Sequence, residues 1–364
     1  MRNPPGSRAT CVVHYPSLRV MAGNPYWAML ESGLKEAGIT LLDEPDAHKL
    51  RWLFKNRNRV DILHFHYFQF LYCNRGRSRA RLVYVARFAL FLLLARLLGY
   101  RTVLTLHNLK PTHPLNPAWI DYLGHWLAAN FTQRVIVHCH EARRLLAARY
   151  GRKNNVIEVA HPHYLGYASG KPSKTEARKI LRLPPRSPVF LFFGGVRRNK
   201  GLENLIQTFK EIEEREPTLL IAGKPEPGAG YAEQLQSLAG KDPRIRFHFG
   251  YIPDEELALF FNASDIVVLP FSAILTSSST ILAMSFARAV IAPRMGCLPE
   301  LLEPGAGWLY EADSPGALLQ TLGRSLKEDW HQAGVTALER VTRHTPAIFI
   351  RETLSCYGCT NSAA

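Results

Sequence analysis

Two stretches in the second half of the chain carry side chains suited to holding an anion. The first is Val189 to Phe209, VFLFFGGVRRNKGLENLIQTF. A short apolar run, Val189 to Phe193, reads as a strand buried on both faces and ends at Gly194 and Gly195. Arg197, Arg198 and Lys200 follow, and Gly201 opens a helix with Leu202, Leu205, Ile206 and Phe209 at helical spacing. A glycine turn lets another group approach bare backbone, and a helix N-terminus attracts a phosphate. Alone, the stretch fits an ordinary βα turn with solvated cations equally well. The second stretch is Thr276 to Thr280, five consecutive hydroxyl residues before an apolar helix at Ile281 to Ala287. One N-cap needs one hydroxyl. Two loops, one basic and one hydroxylic, each after a buried strand, read as a diphosphate site.

The first half carries histidines at strand ends: His64, His66, His107, His138, His140, His161 and His163. His64 with His66 and His161 with His163 have an H-x-H spacing, but no Cys, Asp or Glu set accompanies them at a zinc-site distance. Each alone reads as a half-buried polar residue at a strand terminus. As a group they point to one or two that face a cleft as general base or substrate hydrogen-bonder.

The elements that must position these groups alternate. Strands are expected at Ala9 to Tyr15, Ile39 to Leu42, Val60 to His66, Arg101 to Leu106, Arg134 to His138 and Val156 to Val159. Helices are expected at Tyr26 to Ala37, near Ala118 to Asn130 and at Glu141 to Tyr150. In the second half, strands at Thr218 to Ala222, Ile245 to Phe249 and Ile266 to Leu269 join the opening one, with a helix at Asp254 to Asn262. This alternation predicts parallel, doubly wound sheets, whose ligands lie at the carboxyl ends of the strands. Gly166 to Arg186, rich in Gly, Pro and Lys, suits an interdomain linker.

A chain of 364 residues implies two domains by default. Its net charge of +15, from 45 basic and 30 acidic residues, favours an anionic partner. No nucleic-acid-binding motif appears, which leaves a membrane or a phosphorylated substrate. The six cysteines are scattered, the C-x-x-C of Cys356 and Cys359 lacks further ligands and reads as inert, and no secretory signal is seen, so a reducing cytoplasm is expected. Ser78 to Gly99 is nearly apolar from Leu82 to Leu98 but broken by Arg87 and Arg96, with Arg75, Arg77, Arg79 and Arg81 before or within it. It is too interrupted to span a bilayer. It suits an interfacial helix on an anionic membrane or a crossover helix on the sheet.

FFGGVRRNKG, the Gly223 turn, HFGYIPDEELALFFNASDIVVLPF and TSSSTILAMSFARAVIAP resemble, in order and spacing, the nucleotide-binding domain of GT-B glycosyltransferases. The Asn24-Pro25-Tyr26 turn, the His64-x-His66 strand end and Thr105-Leu106-His107-Asn108-Leu109 look like the xanthan-type β-mannosyltransferases, glycosyltransferase family 94. The resemblance implies an α/β GT-B fold: two Rossmann-like doubly wound domains facing a cleft, with a C-terminal helix crossing back. It places an acceptor-binding domain at 1–170, a nucleotide-sugar domain at 171–342, and the returning helix and tail at 343–364. It implies mannose transfer from GDP-mannose, with inversion, to a polyprenyl-diphosphate-linked glycan. Arg197, Lys200, Gly194, Ser277 and Ser278 would hold the donor diphosphate, and Tyr251 and Ile252 the base. Asn24, Tyr26 and Asn108 would lie on the acceptor side. Many retaining relatives carry two glutamates eight positions apart, where this chain has Ile274 and Leu282. That departure favours the inverting relatives; Glu300 is the nearest substitute carboxylate.

An inverting transfer needs a base for the acceptor hydroxyl and cations or helix dipoles for the departing diphosphate. His107 and His66 are the candidate bases by position, with Asp61 and Asp121 behind them. No Asp-x-Asp metal motif is present, so neither metal nor cofactor is expected. A peripheral place on the inner face of the cell membrane follows. Two other functions fit the same residues: a retaining α-glycosyltransferase using a UDP- or GDP-sugar, and a non-catalytic nucleotide-sugar-binding or membrane scaffold protein.

Overall fold

The computed structural model describes residues 9–17, 20, 25–73, 81–111, 114, 116–168, 172–213, 217–228 and 230–359. The chain divides into two units, Met1–His161 with Pro346–Ala364, and Pro162–Thr345.

The first unit holds six parallel strands: β1 (Cys11–Tyr15), β2 (Thr40–Leu42), β3 (Ile62–Phe65), β4 (Arg101–Thr105), β5 (Arg134–Val137) and β6 (Val156–Glu158). Their order is β2-β1-β3-β4-β5-β6, so the winding reverses between β1 and β3. The central strands β1 and β3 are buried throughout and apolar but for His14 and His64, because helices cover both faces. Register matters here: His14 on β1 lies directly beside His64 on β3, and Tyr15 beside Phe65.

The last helix, Pro346–Tyr357, completes this unit. Phe349, Ile350, Leu354 and Tyr357 enter the same core as Val12, Trp27, Leu30 and Leu34. Gly33 is bare to admit Ile350, since a Cβ there would lie 2.4 Å from its Cγ1. The helix's last carbonyls are capped by guanidinium groups. Arg134 Nη1 donates to the carbonyls of Ser355 and Cys356 at 2.9 and 2.7 Å, and Arg101 Nη1 donates to that of Tyr357. Cys356 is inert, as its burial pushes the thiol up to about 12.

The second unit holds β7 (Val189–Phe193), β8 (Thr218–Gly223), β9 (Ile245–Phe249), β10 (Ile266–Val268), β11 (Ala289–Pro293) and β12 (Gly307–Tyr310), all parallel. Their order, β12-β11-β10-β7-β8-β9, reverses between β7 and β10.

Three local expectations change. The stretch read as a linker is folded into the second unit. Ser173 and Glu176 form a capping box on the helix Lys174–Ile180. From that helix Arg178 reaches Asp265 at 2.6 Å and the carbonyl of Ala263 at 3.0 Å, both in buried surroundings. This helix lies within the unit that begins at Pro162. The helix expected over Asp254 to Asn262 begins as a 3-10 turn, Asp254–Glu256, and becomes α-helical only over Leu257–Ala263. The apolar helix of the first unit runs Arg81–Leu97, while Arg75, Arg77 and Arg79 lie outside the described residues.

Candidate active site

In a doubly wound sheet the crevice lies at the carboxyl ends of the strands where the winding reverses. Each unit places its chemistry-bearing residues there.

In the second unit the adjacent strands are β7 and β10. After β7 the chain turns at Gly194, with φ of +141°, where a Cβ would stand 3.4 Å from Ser279 Oγ. Arg197 folds back over Gly195; a Cβ on that glycine would meet its Nε at 3.2 Å. A 3-10 turn, Arg198–Lys200, leads to Gly201. Ser272 then donates from its backbone N and its Oγ to the Asn199 carbonyl, at 3.4 and 3.1 Å. The basic loop and the loop after β10 are thus bound backbone to backbone.

The three cations separate by their surroundings. Arg198 lies 3.6 Å from Glu203, 3.0 Å from Gln234 and over the Tyr231 ring, so it is held as a structural group. Lys200 Nζ stands 4.5 Å from the centre of the Phe271 ring. Burial, with Arg197 beside it, brings its ammonium down to about 8. Among the described residues no carboxylate pairs with Lys200. A desolvated cation without a counter-ion is suited to an anionic ligand.

Ser277 is the N-cap of the helix Ser278–Ser285: its Oγ accepts from Thr280 N at 3.1 Å. Its acceptor capacity is therefore committed locally, and Ser278, which is exposed, and Ser279 form the first turn. Among the described residues, Thr280 Oγ1 and Asn199 Oδ1 are both buried without a hydrogen-bond partner, and Asn199 was not singled out in the sequence. Gly296, with φ of +55°, backs onto this loop: a Cβ would lie 2.7 and 2.5 Å from the carbonyl oxygens of Ile274 and Leu275. Glu300 is exposed on the short helix Leu298–Leu302 that follows. Tyr251 and Ile252 follow β9, at the sheet edge. The Tyr251 side chain is 64% exposed and Ile252 is buried. They are tied inward through Gly223, whose carbonyl accepts from Gly250 N at 3.2 Å and which lies flat against the Gly194 carbonyl.

In the first unit the expected half-buried histidines are a buried array. His14 Nδ1 is 3.1 Å from His66 Nε2, and His66 Nδ1 is 3.1 Å from His107 Nε2. His64 is held between Tyr357 OH, 2.7 Å from Nδ1, and Thr105 Oγ1, 2.8 Å from Nε2. His138 Nδ1 donates to the Val159 carbonyl at 2.8 Å. Tyr26 stands against His107, His138 and His161, with ring centres 5.4, 5.9 and 5.1 Å away. Burial, with repulsion from neighbouring imidazoles, holds His64, His66 and His107 well below 6.5; burial alone lowers His14 to about 3.

The sequence candidates fall at different places around this array. His66 has both ring nitrogens engaged, by His14 and by His107. Asp61 sits at the opposite end of β3, where its carboxylate accepts from Cys11 N at 2.9 Å. Asp121 is buried within the helix Ala118–Phe131 and accepts from Asn116 Nδ2 at 3.0 Å. His140 is exposed and pairs with Glu158, and His163 belongs to the second unit. Asn108 follows His107 and is half-buried; Asn24 lies outside the described residues. His14 and Tyr357 are the members that sequence reasoning missed. Among the described residues, His14, His64 and His66 have ring nitrogens within 4.8 Å of one another, the one group able to hold a metal ion. It would do so only by giving up hydrogen bonds the array already makes.

A family profile described as glycosyl transferases group 1 matches residues 187–328. The chain is 28% identical over 309 residues to a GDP-mannose:glycolipid 4-beta-D-mannosyltransferase of Xanthomonas campestris pv. campestris, spanning 81% of this chain and 78% of that one. It is 29% identical over 238 residues to a D-inositol 3-phosphate glycosyltransferase of Corynebacterium diphtheriae, spanning 62% and 55%. Among solved structures, a sucrose-phosphate synthase from Thermosynechococcus elongatus superposes with a TM-score of 0.73 at 17% identity, covering 97% of this chain and 98% of that one. Anabaena HepE in complex with UDP and glucose gives 0.72 at 15% identity, covering 96% and 98%. The structural likenesses show the fold, and the sequence matches are to glycosyltransferases. Residues 187–328 form a glycosyl transferases group 1 domain, and the chain is a glycosyltransferase of GT-B fold.

Proposed function

We propose that this glycosyltransferase moves mannose from GDP-mannose, with inversion, to a lipid-diphosphate-linked oligosaccharide. One observation carries the reading: the basic loop Gly194–Gly201 and the helix N-terminus after Ser277 meet at the winding reversal of the second sheet. Arg197, Lys200 and the first-turn amides at Ser278 and Ser279 hold the donor diphosphate and stabilise the charge it gains as the sugar leaves. Tyr251 and Ile252 lie against the base. The acceptor hydroxyl is bound at the histidine array, against His107 and Tyr26, with Asn108 beside them and His66 buttressing His107. The sugar and base are suggested by the name of the Xanthomonas relative, and inversion by the apolar Ile274 and Leu282.

The lipid end of the acceptor fits an exposed apolar stripe on the helix Arg81–Leu97. Leu82, Val83, Leu90, Leu93 and Leu97 all face solvent, Leu97 at 73%, beside the exposed Arg87 and Arg96. Among the described residues no helix is long and apolar enough to cross a membrane. A helix of this kind lies in the interface of an anionic leaflet, apolar face down. We place the protein there, on the cytoplasmic side.

The test is transfer by purified protein with a donor screen. GDP-mannose is expected to raise the melting temperature more than UDP-sugars do, since only a ligand bound to the native state stabilises it. Lys200→Ala and Arg197→Ala are each expected to lower turnover about a hundredfold or more, and chelators to leave it unchanged. Near-normal turnover in both variants would overturn the diphosphate site. An α-linked product would replace inversion by retention, and donor binding without transfer or hydrolysis would make the protein a sensor or scaffold.

A further inference from the structure

The histidine array contains one imidazole whose proton placement the backbone dictates. His138 follows β5, and its Nδ1 lies 2.8 Å from the Val159 carbonyl oxygen. A carbonyl only accepts, so Nδ1 carries the hydrogen and the neutral ring keeps its lone pair on Nε2. That Nε2 is buried and, among the described residues, has no hydrogen-bond partner, in a side chain 7% exposed. A buried polar atom left unpaired is rare and calls for a reason.

The neighbouring rings do not offer the same thing. His64 and His66 have both nitrogens engaged. His107 has Nε2 tied to His66, and its tautomer depends on that of His66 and, through it, of His14. His14 also has an Nε2 without a partner among the described residues, but the His66 imidazole separates it from His107. His138 lies at the His107 end of the array, its ring centre 5.4 Å from His107, 5.5 Å from His161 and 5.9 Å from Tyr26.

We propose that His138, through Nε2, is the base that takes the proton of the acceptor hydroxyl. The proposal rests on the reading that the acceptor hydroxyl binds at the histidine array. In the step, the hydroxyl proton passes to His138 Nε2 while the oxygen bonds to C1 of the donor sugar. The bond from C1 to the diphosphate oxygen breaks, and its electron pair leaves with the diphosphate. The imidazolium keeps its Nδ1–H bond to Val159 and returns its proton to water as product leaves. Burial lowers His138 to about 4, against the upward pull of that carbonyl bond, so the ring is neutral and able to accept at neutral pH.

His138→Asn tests this, because an asparagine amide can still donate to Val159 while nothing remains at the Nε2 position. Turnover is expected to fall by about a hundredfold or more, with the melting-temperature rise given by GDP-mannose and the acceptor KM retained. His107→Asn is expected to act mainly on acceptor KM. Turnover of His138→Asn within a few-fold of the parent would overturn the proposal. If His107→Asn is then inactive, the acceptor site at the array stands without this base; if both variants are active, that reading falls as well. A second measurement does not depend on any variant folding. Imidazole nitrogen NMR of the parent protein should show His138 protonated at Nδ1 and bare at Nε2, and a proton on Nε2 would overturn the assignment.

Discussion

Gly201 and Pro270 are in backbone contact: a Cβ on the glycine would fall 1.9 Å from the Pro270 carbonyl oxygen. The glycine also has φ of +70°, where an L side chain is strained. The two loops at the winding reversal of the second sheet can close on each other only because nothing stands at that position.

Gly201→Ala is therefore expected to part the basic loop from the loop after β10 and to displace Lys200 from Phe271. Donor affinity should drop by more than tenfold, with a loss of at least about 1–2 kcal/mol in stability from the backbone conformation alone. Calorimetric titration with GDP-mannose checks it; unchanged affinity would mean the loops act independently.

Arg178 and Asp265 form a buried ion pair at 2.6 Å, and the same carboxylate accepts from Val189 N at 2.7 Å. Lys174 also meets this carboxylate, at 2.5 Å, but is half-exposed, so Arg178 is its buried counter-charge. Arg178→Met should destabilise the second unit by about 3–5 kcal/mol, read from the urea midpoint of that unit. A shift below 1 kcal/mol would mean that water reaches Asp265.

Six imidazoles, His14, His64, His66, His107, His125 and His138, are held below 6.5, first of all by burial. Their folded values are depressed, so between the folded and unfolded values the unfolded chain binds more protons. Stability is then fully present above about pH 6.5 and falls by about 1.4 kcal/mol per pH unit for each group below it. Against a typical total of about 5–15 kcal/mol, the first unit should unfold near about pH 5. Denaturant midpoints at successive pH values measure this, and a flat profile from pH 7.5 to 5 would contradict it.

Leu90, Leu93 and Leu97 are exposed on one helix. Replacing all three by serine should leave the melting temperature unchanged. Partition to anionic vesicles should weaken by about a hundredfold or more, from roughly 1 kcal/mol or more per side chain. Equal partition by the triple variant would place any membrane contact elsewhere.

The strands were legible because a run such as VFLFF or CVVHY has no polar face to turn outward, and only a parallel sheet covered on both sides accommodates it. Gly194, Arg197, Lys200 and Ser277 stand out in the sequence as candidates because they lie within two short stretches that each follow such a strand. Composition misled at Gly166 to Arg186. Its lysines and prolines look solvated, but Arg178 is buried by Asp265, 87 residues further on. The histidine array shows the same limit. His14 lies inside a strand and becomes a neighbour of His64 only through sheet register. Tyr357, 293 residues beyond His64, has no local signal at all.

The helix Pro346–Tyr357 makes the first unit discontinuous along the chain. As the protein emerges from the ribosome, every strand of the first sheet is available before the second begins. Yet its core lacks Phe349 and Leu354, and His64 lacks Tyr357, until residues 346–357 have been made. The second unit, continuous from Pro162 to Thr345, has no such wait. Domains commonly mature in order of synthesis; here the histidine array of the first unit gains its Tyr357 partner only after the whole second unit has been made.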